Sequence, residues 1–152
     1  MMTGKPDISI GRVHIWVHGK EFPSLTLAEQ NSYDDAGWLR ATISYQTACS
    51  DVKISGAVLH HSDLKALQDD SEKLHTNSHG TLQFGTIEPY LHVELKSDSL
   101  GHLKGVIILR PDPVYEKHEY VVEDLDLSHL PNIIFECQDV LRTHFPEIVK
   151  TK

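Results

Sequence analysis

The 152-residue chain carries 14 basic and 22 acidic residues, a net charge of −8, with 39% hydrophobic and 24% charged residues. A chain of this length fits one domain and buries roughly 70% of its unfolded surface, so folding needs no disulfide or metal staple. The negative balance argues against a nucleic-acid binder, which needs cationic surface to displace counterions, and no apolar run approaches the ~18 residues of a membrane span.

The opening MMTGKPD lacks a basic region followed by an apolar core, so no signal peptide is expected. Two cysteines, Cys49 and Cys137, make no disulfide framework, and the cytoplasm is the expected compartment. Residues 1–152 read as a single domain, with Met1 to Pro6 as a loose tail.

Asp7 to His18 reads as a first strand. Val13, Ile15 and Val17 alternate with His14, Trp16 and His18, the period of a half-buried strand. Ile8 and Ile10 have the other parity, and a bulge at Gly11 would restore register. Gly19 to Gly37 reads as a long loop, with a short turn of structure at Leu25–Glu29. Trp38 to Thr47 and Val52 to Leu59 form a hairpin across the short ACSD link. Ser62 is expected to cap a helix whose apolar stripe is Leu64, Leu67, Ser71 and Leu74, with Asp63 in the first turn.

A meander follows from Gly80 to Arg110. Leu82 and Phe84, then Leu91, Val93 and Leu95, alternate with polar residues, and Pro89 opens the second strand. The next strand has Leu103, Ile107 and Leu109 on one face and Val106 and Ile108 on the other. That two-sided apolarity predicts an interior strand covered on both faces. Glu119 to Leu127 reads as a last, edge strand, with a bulge near Glu123–Asp124 that reconciles Tyr120 and Val122 with Leu125 and Leu127. Ser128 is expected to cap a final helix, with Pro131 in its first turn and Leu130, Ile133, Ile134, Cys137, Leu141 and Phe145 buried. The order β-β-β-α-β-β-β-β-α predicts an α+β fold: a curved, mostly antiparallel sheet of about seven strands with two packed helices.

Eleven histidines raise the question of a metal. His14 and His18 are roughly 13 Å apart along an extended strand, His60 and His61 would point oppositely, and no HExxH or CxxC spacing occurs. Scattered surface or turn histidines are the better account, and no cofactor or metal is expected. Cys137 reads as a small core residue. There is no GxSxG, Walker loop or GxGxxG, and no catalytic residue is assigned.

The acid is unevenly placed. Between Asp112 and Asp139 lie eight acidic residues and one base, Lys117, a net of −7. One reading is a solvated face; the other is a docking surface for a basic partner, whose encounter rate such a field would raise. On the second reading Glu116, Glu119, Glu123, Asp124 and Asp126 are candidate contacts. Trp16 and Trp38 point away from the aliphatic side of their strands, either as interface anchors or as cover for a second layer. The second role is expected for Trp38. Both stay open for Trp16, which joins the candidate contacts.

Taken together, GWLRATISY after DD, SDLKALQDDSEKL, TIEPYLHVEL and VEDLDLSHLPNIIFECQDVLRTHFP resemble, in order and spacing, the WapI-like immunity proteins of bacterial polymorphic toxin systems. The matching positions are Trp38, Leu64 and Leu67, Glu88-Pro89-Tyr90-Leu91, and Leu141 to Pro146, within about residues 33–146. The matched residues are mostly packing residues. The resemblance implies a small cytoplasmic protein, not an enzyme, that binds and neutralises a cognate toxin domain. Such toxins are frequently nucleases with basic active faces, which the acidic segment suits. Two other readings stand beside it: a small metal-dependent enzyme built on the histidines and the acidic cluster, and an interaction module of a larger complex.

Overall fold

The computed structural model describes residues 4–25 and 35–149. Its strands are β1 (Ile8–Ile10), β2 (Val13–Lys20), β3 (Trp38–Gln46), β4 (Asp51–His60), β5 (Thr81–Gly85), β6 (Leu91–Ser97), β7 (His102–Leu109) and β8 (His118–Asp126). Its helices are α1 (His61–Asn77), α2 (Leu130–His144) and the single turn α3 (Pro146–Val149), with 3-10 turns at Asp35–Gly37 and Leu127–His129. The turn expected at Leu25–Glu29 lies largely outside the described residues.

The α+β class holds, but the single curved sheet of about seven strands does not. Among the described residues, eight strands are divided between two antiparallel four-stranded sheets, β1-β2-β3-β4 and β5-β6-β7-β8. The extra strand comes from Gly11. Instead of bulging, the chain reverses there, so that Ile10 pairs with Val13 and Ile8 with Ile15. A two-residue Gly-X hairpin loop needs a positive φ at its first position, and Gly11 supplies it at 59°. The reversal also resolves the parity conflict: Ile8, Ile10, Val13 and Ile15 share one buried face.

The second break falls at His60. β4 ends there and α1 begins at the next residue, so β5 has no hairpin link to β4 and pairs with β6 instead. Both sheets turn one face to a common core. Ile15, Leu39, Ile43 and Ile54 come from the first and Leu82, Phe84, Val93 and Ile107 from the second. The Tyr45 and Tyr120 rings stack across the gap, 3.7 Å between centroids and 11° between planes. α1 and α2 pack on each other, α1 also on β4 and β5, and α2 on β1 and β2.

The expected stripe of α1 is buried, with Leu64, Leu67 and Ser71 fully enclosed. Its cap is His60 rather than Ser62. The His60 ring accepts from the Ser62 amide at 3.2 Å, and the Asp63 carboxylate accepts from the His60 amide at 2.9 Å. A capping box is read three residues back from its acid, which places the start at His60. Similarly, Ser128 does not cap α2. Asp126 caps the 3-10 turn that contains Ser128, and α2 begins after it with Pro131 in its first turn. Val140 takes the buried place expected for Ile134, which is only half-buried.

β7 is interior and β8 is an edge, as the sequence predicts. Leu103 pairs with Leu125 and Gly105 with Val122, so Glu123 and Asp124 together oppose Lys104: the expected bulge. The expected cover on both faces of β7 is absent among the described residues. Leu103, Ile107 and Leu109 are buried, whereas Val106 and Ile108 stay half-exposed on the outer face. Gly105 is forced by packing, because a Cβ there would lie 1.8 Å from the Glu94 carbonyl oxygen.

Candidate functional site

The acidic segment runs from the β7–β8 loop through β8 into α2, and its carboxylates divide by what they already do. Asp112 turns the loop by accepting from the Val114 and Tyr115 amides at 3.0 and 3.2 Å. Asp126 accepts from the Ser128 amide at 2.9 Å and from its hydroxyl, and lies 3.3 Å from the His129 ring. The Ser128 bonds hold the Asp126 carboxyl below the usual aspartate range. Glu136 reaches from α2 to accept the Ser9 amide at 3.0 Å on the outer edge of β1. These three are structural. Asp126, offered by the sequence as a contact residue, is first of all a cap.

Glu116 sits 3.2 Å from the His118 ring, Glu119 lies 3.4 Å from the Lys117 ammonium, and Asp139 is 4.0 Å from Arg142. All are exposed pairs of the kind that contribute little to stability. Glu123 and Asp124, on the bulge, have no ion-pair partner within 4 Å among the described residues. The bulge itself explains their prominence: two acidic side chains occupy a strand length meant for one, on a strand with no neighbour beyond it among the described residues. Asp124 projects its field towards the first sheet. The Tyr45 phenol is pushed above its ordinary range, first by burial and further by Asp124 and Tyr120, while Arg12 opposes the rise.

The structure brings Glu116, Glu119, Glu123, Asp124 and Asp126 onto one strand and the loop before it, and leaves Trp16 apart from them. Trp16 lies half-buried on the outer face of the first sheet, opposite Thr42. Its indole donates to the Gly4 carbonyl at 3.4 Å, and its ring meets His14 edge-on at 5.8 Å. The two outer faces look away from each other across the shared core. Trp38 covers the start of α1, with its ring edge-on to His60 at 5.0 Å. Among the described residues no three His, Cys, Asp or Glu side chains converge as a metal-ligand set. His18 is engaged with the Thr42 hydroxyl at 2.9 Å, and that hydroxyl with Ser55 at 2.9 Å.

Sequence reasoning did not single out Glu94 and Val121. They lie across from Val106 on either side, on the outer face of the second sheet. The two-sided apolarity of β7 marks this face in the sequence, where it predicts a covering layer.

The Immunity protein WapI-like family model matches residues 5–146, nearly the whole chain, and the chain belongs to that family. The match takes in β1 and β2, which the motif resemblance had left out. No curated protein and no solved structure matches this chain. No helix among the described residues is long and apolar enough to cross a membrane.

Proposed function

We propose that this chain is a cytoplasmic, non-enzymatic immunity protein that binds and neutralises a cognate toxin domain through the acidic β8 edge. The partner's contact surface is basic and nuclease-like, and the carboxylates of Glu119, Glu123 and Asp124 sit where its phosphate ligands would otherwise lie. Membership of the immunity family supports a toxin as the partner. The observation that carries the edge mechanism is the β8 bulge. It presents Glu123 and Asp124 without ion-pair partners, inside a segment holding −7 of the chain's net −8. Glu116 adds to the field from the loop. Asp126 contributes charge while it caps the turn, so its substitution would mix folding with binding. Trp16, on the other sheet's outer face, is outside this contact.

The test is the affinity of the purified chain for an inactivated form of the toxin domain encoded beside its gene, measured across ionic strength. Affinity is expected to fall with salt. Changing Glu119, Glu123 and Asp124 to their amides should weaken binding by roughly tenfold and flatten that dependence. An affinity indifferent to both the substitutions and the salt would rule out the edge mechanism.

A further inference from the structure

We infer that the docking surface extends from the β8 edge across the outer face of the second sheet, with Val106, Ile108 and Val121 as its apolar centre. This rests on the reading of the chain as a binder of a basic toxin domain, and it names the face that domain covers.

Register places the three side chains together. Val106 pairs directly with Val121, and Ile108 lies two residues from Val106 on the same face of β7. Val121 is 70% exposed. Valine and isoleucine at these positions would normally be covered, and the described helices pack on β1, β2, β4 and β5 instead. The corresponding face of the first sheet is polar at its centre, with Thr42, Ser44 and Ser55. Among the described residues, the first sheet's outer face thus sets Trp16 beside a polar centre, whereas the second sheet's outer face sets aliphatic side chains together.

Charges of both signs frame the patch: Lys104 lies two residues from Val106 on the same face of β7 and pairs with Lys96, while carboxylates line its other sides. Glu94 lies beside Val106, Glu119 beside Ile108, and Glu123 two residues beyond Val121. Gln83 donates to Glu94 at 3.2 Å and the His92 ring lies 3.5 Å from it, which holds this carboxylate at the patch margin. Ile108 also lines a hollow of about 380 Å³ with Pro89, His92 and Arg110, which gives an anchoring side chain of a partner somewhere to sit. An apolar centre inside a polar rim is the anatomy of a specific protein interface. The carboxylate side of this rim, Glu119 and Glu123, continues the β8 edge and suits cationic groups on the partner, while Lys96 and Lys104 at the far end would fix its orientation.

The test uses the full chain, isotopically labelled, titrated with the inactivated toxin domain encoded beside its gene. Amide perturbations are expected to concentrate on β6, β7 and β8 around Val106, Ile108 and Val121. Val121→Ser leaves the core untouched and should weaken binding at least tenfold at every ionic strength without altering the salt dependence. Glu94→Gln should flatten the salt dependence. If both variants bind as wild type while the amide changes at Glu123 and Asp124 weaken binding, this face is wrong and the acidic-edge reading survives. If none of the four matters, both fail. A chain that dimerises through this face, and that Val121→Ser turns monomeric, would also overturn the assignment.

Discussion

The Asp63 carboxylate, in the first turn of α1, accepts the Ile87 amide at 3.0 Å from the loop between β5 and β6. Its other oxygen accepts the His60 amide at the end of β4 at 2.9 Å. One buried side chain thus ties the last strand of the first sheet, the helix between the sheets and the first loop of the second. Asparagine offers a single acceptor oxygen, so Asp63→Asn leaves one of those amides facing an NH2 group. A loss of about 1–3 kcal/mol is expected in urea denaturation at neutral pH, and Asp63→Ala should lose at least as much.

Burial pushes the Asp63 carboxyl above its ordinary 3.8, against the opposing pull of its two amide bonds. A raised folded-state value means the folded protein holds the proton more tightly. The extra stabilisation that comes with that proton is fully present below 3.8 and is lost as pH rises through the folded value, leaving the two amide bonds as the carboxylate's contribution at neutral pH. The stability gap between wild type and Asp63→Asn should therefore not close between pH 6 and pH 4. A gap that shrinks on acidification would contradict the raised value.

Gly105 and Gly85 form a matched pair of substitutions. A Cβ on Gly105 would meet the Glu94 carbonyl oxygen at 1.8 Å, so Gly105→Ala must push β6 and β7 apart, and severe destabilisation or failure to fold is expected. A Cβ on Gly85 would meet nothing closer than His92 Nδ1 at 3.5 Å, so Gly85→Ala should change the thermal midpoint by no more than a few degrees.

The two thiols should separate cleanly. Cys49 is exposed, while Cys137 is buried in α2 and its thiol is pushed up to about 12, first by burial and then by Glu136. Since the thiolate is the reactive form, a chromogenic disulfide reagent at pH 8 should titrate one thiol in the native protein and two in denaturant.

His144 gives a pH dependence of the opposite sign to Asp63. Burial and the nearby Lys20 lower its value below 6.5, against the pull of Asp7. Its favourable contribution is present above 6.5 and is lost as pH falls through the folded value. The His144 ring signals should titrate below 6.5, and His144→Gln should reduce the loss of stability between pH 7 and pH 5.

The local pattern was legible wherever period and charge were strong. The α1 stripe, the edge position of β8 and its Glu123–Asp124 bulge all follow from side-chain parity. What was lost depended on reversals and on partners distant in sequence. Gly11 could be read as a bulge or a turn, and only pairing Ile10 with Val13 decides between them. The division into two sheets turns on α1 starting one residue after β4, with no turn signal between them. Asp126 looked like a free carboxylate because its Ser128 and His129 partners belong to a short 3-10 turn with no apolar period. Val106 and Ile108 were recognised as apolar, but the sequence does not say whether the chain covers them itself.

The salt dependence of binding to the inactivated toxin domain tests the central claim most directly. The acidic edge predicts that wild-type affinity falls steeply between low and high ionic strength, and that the Glu119, Glu123 and Asp124 amide variant binds more weakly with a shallower slope. An affinity that stays constant with salt and is unchanged in the variant would contradict it.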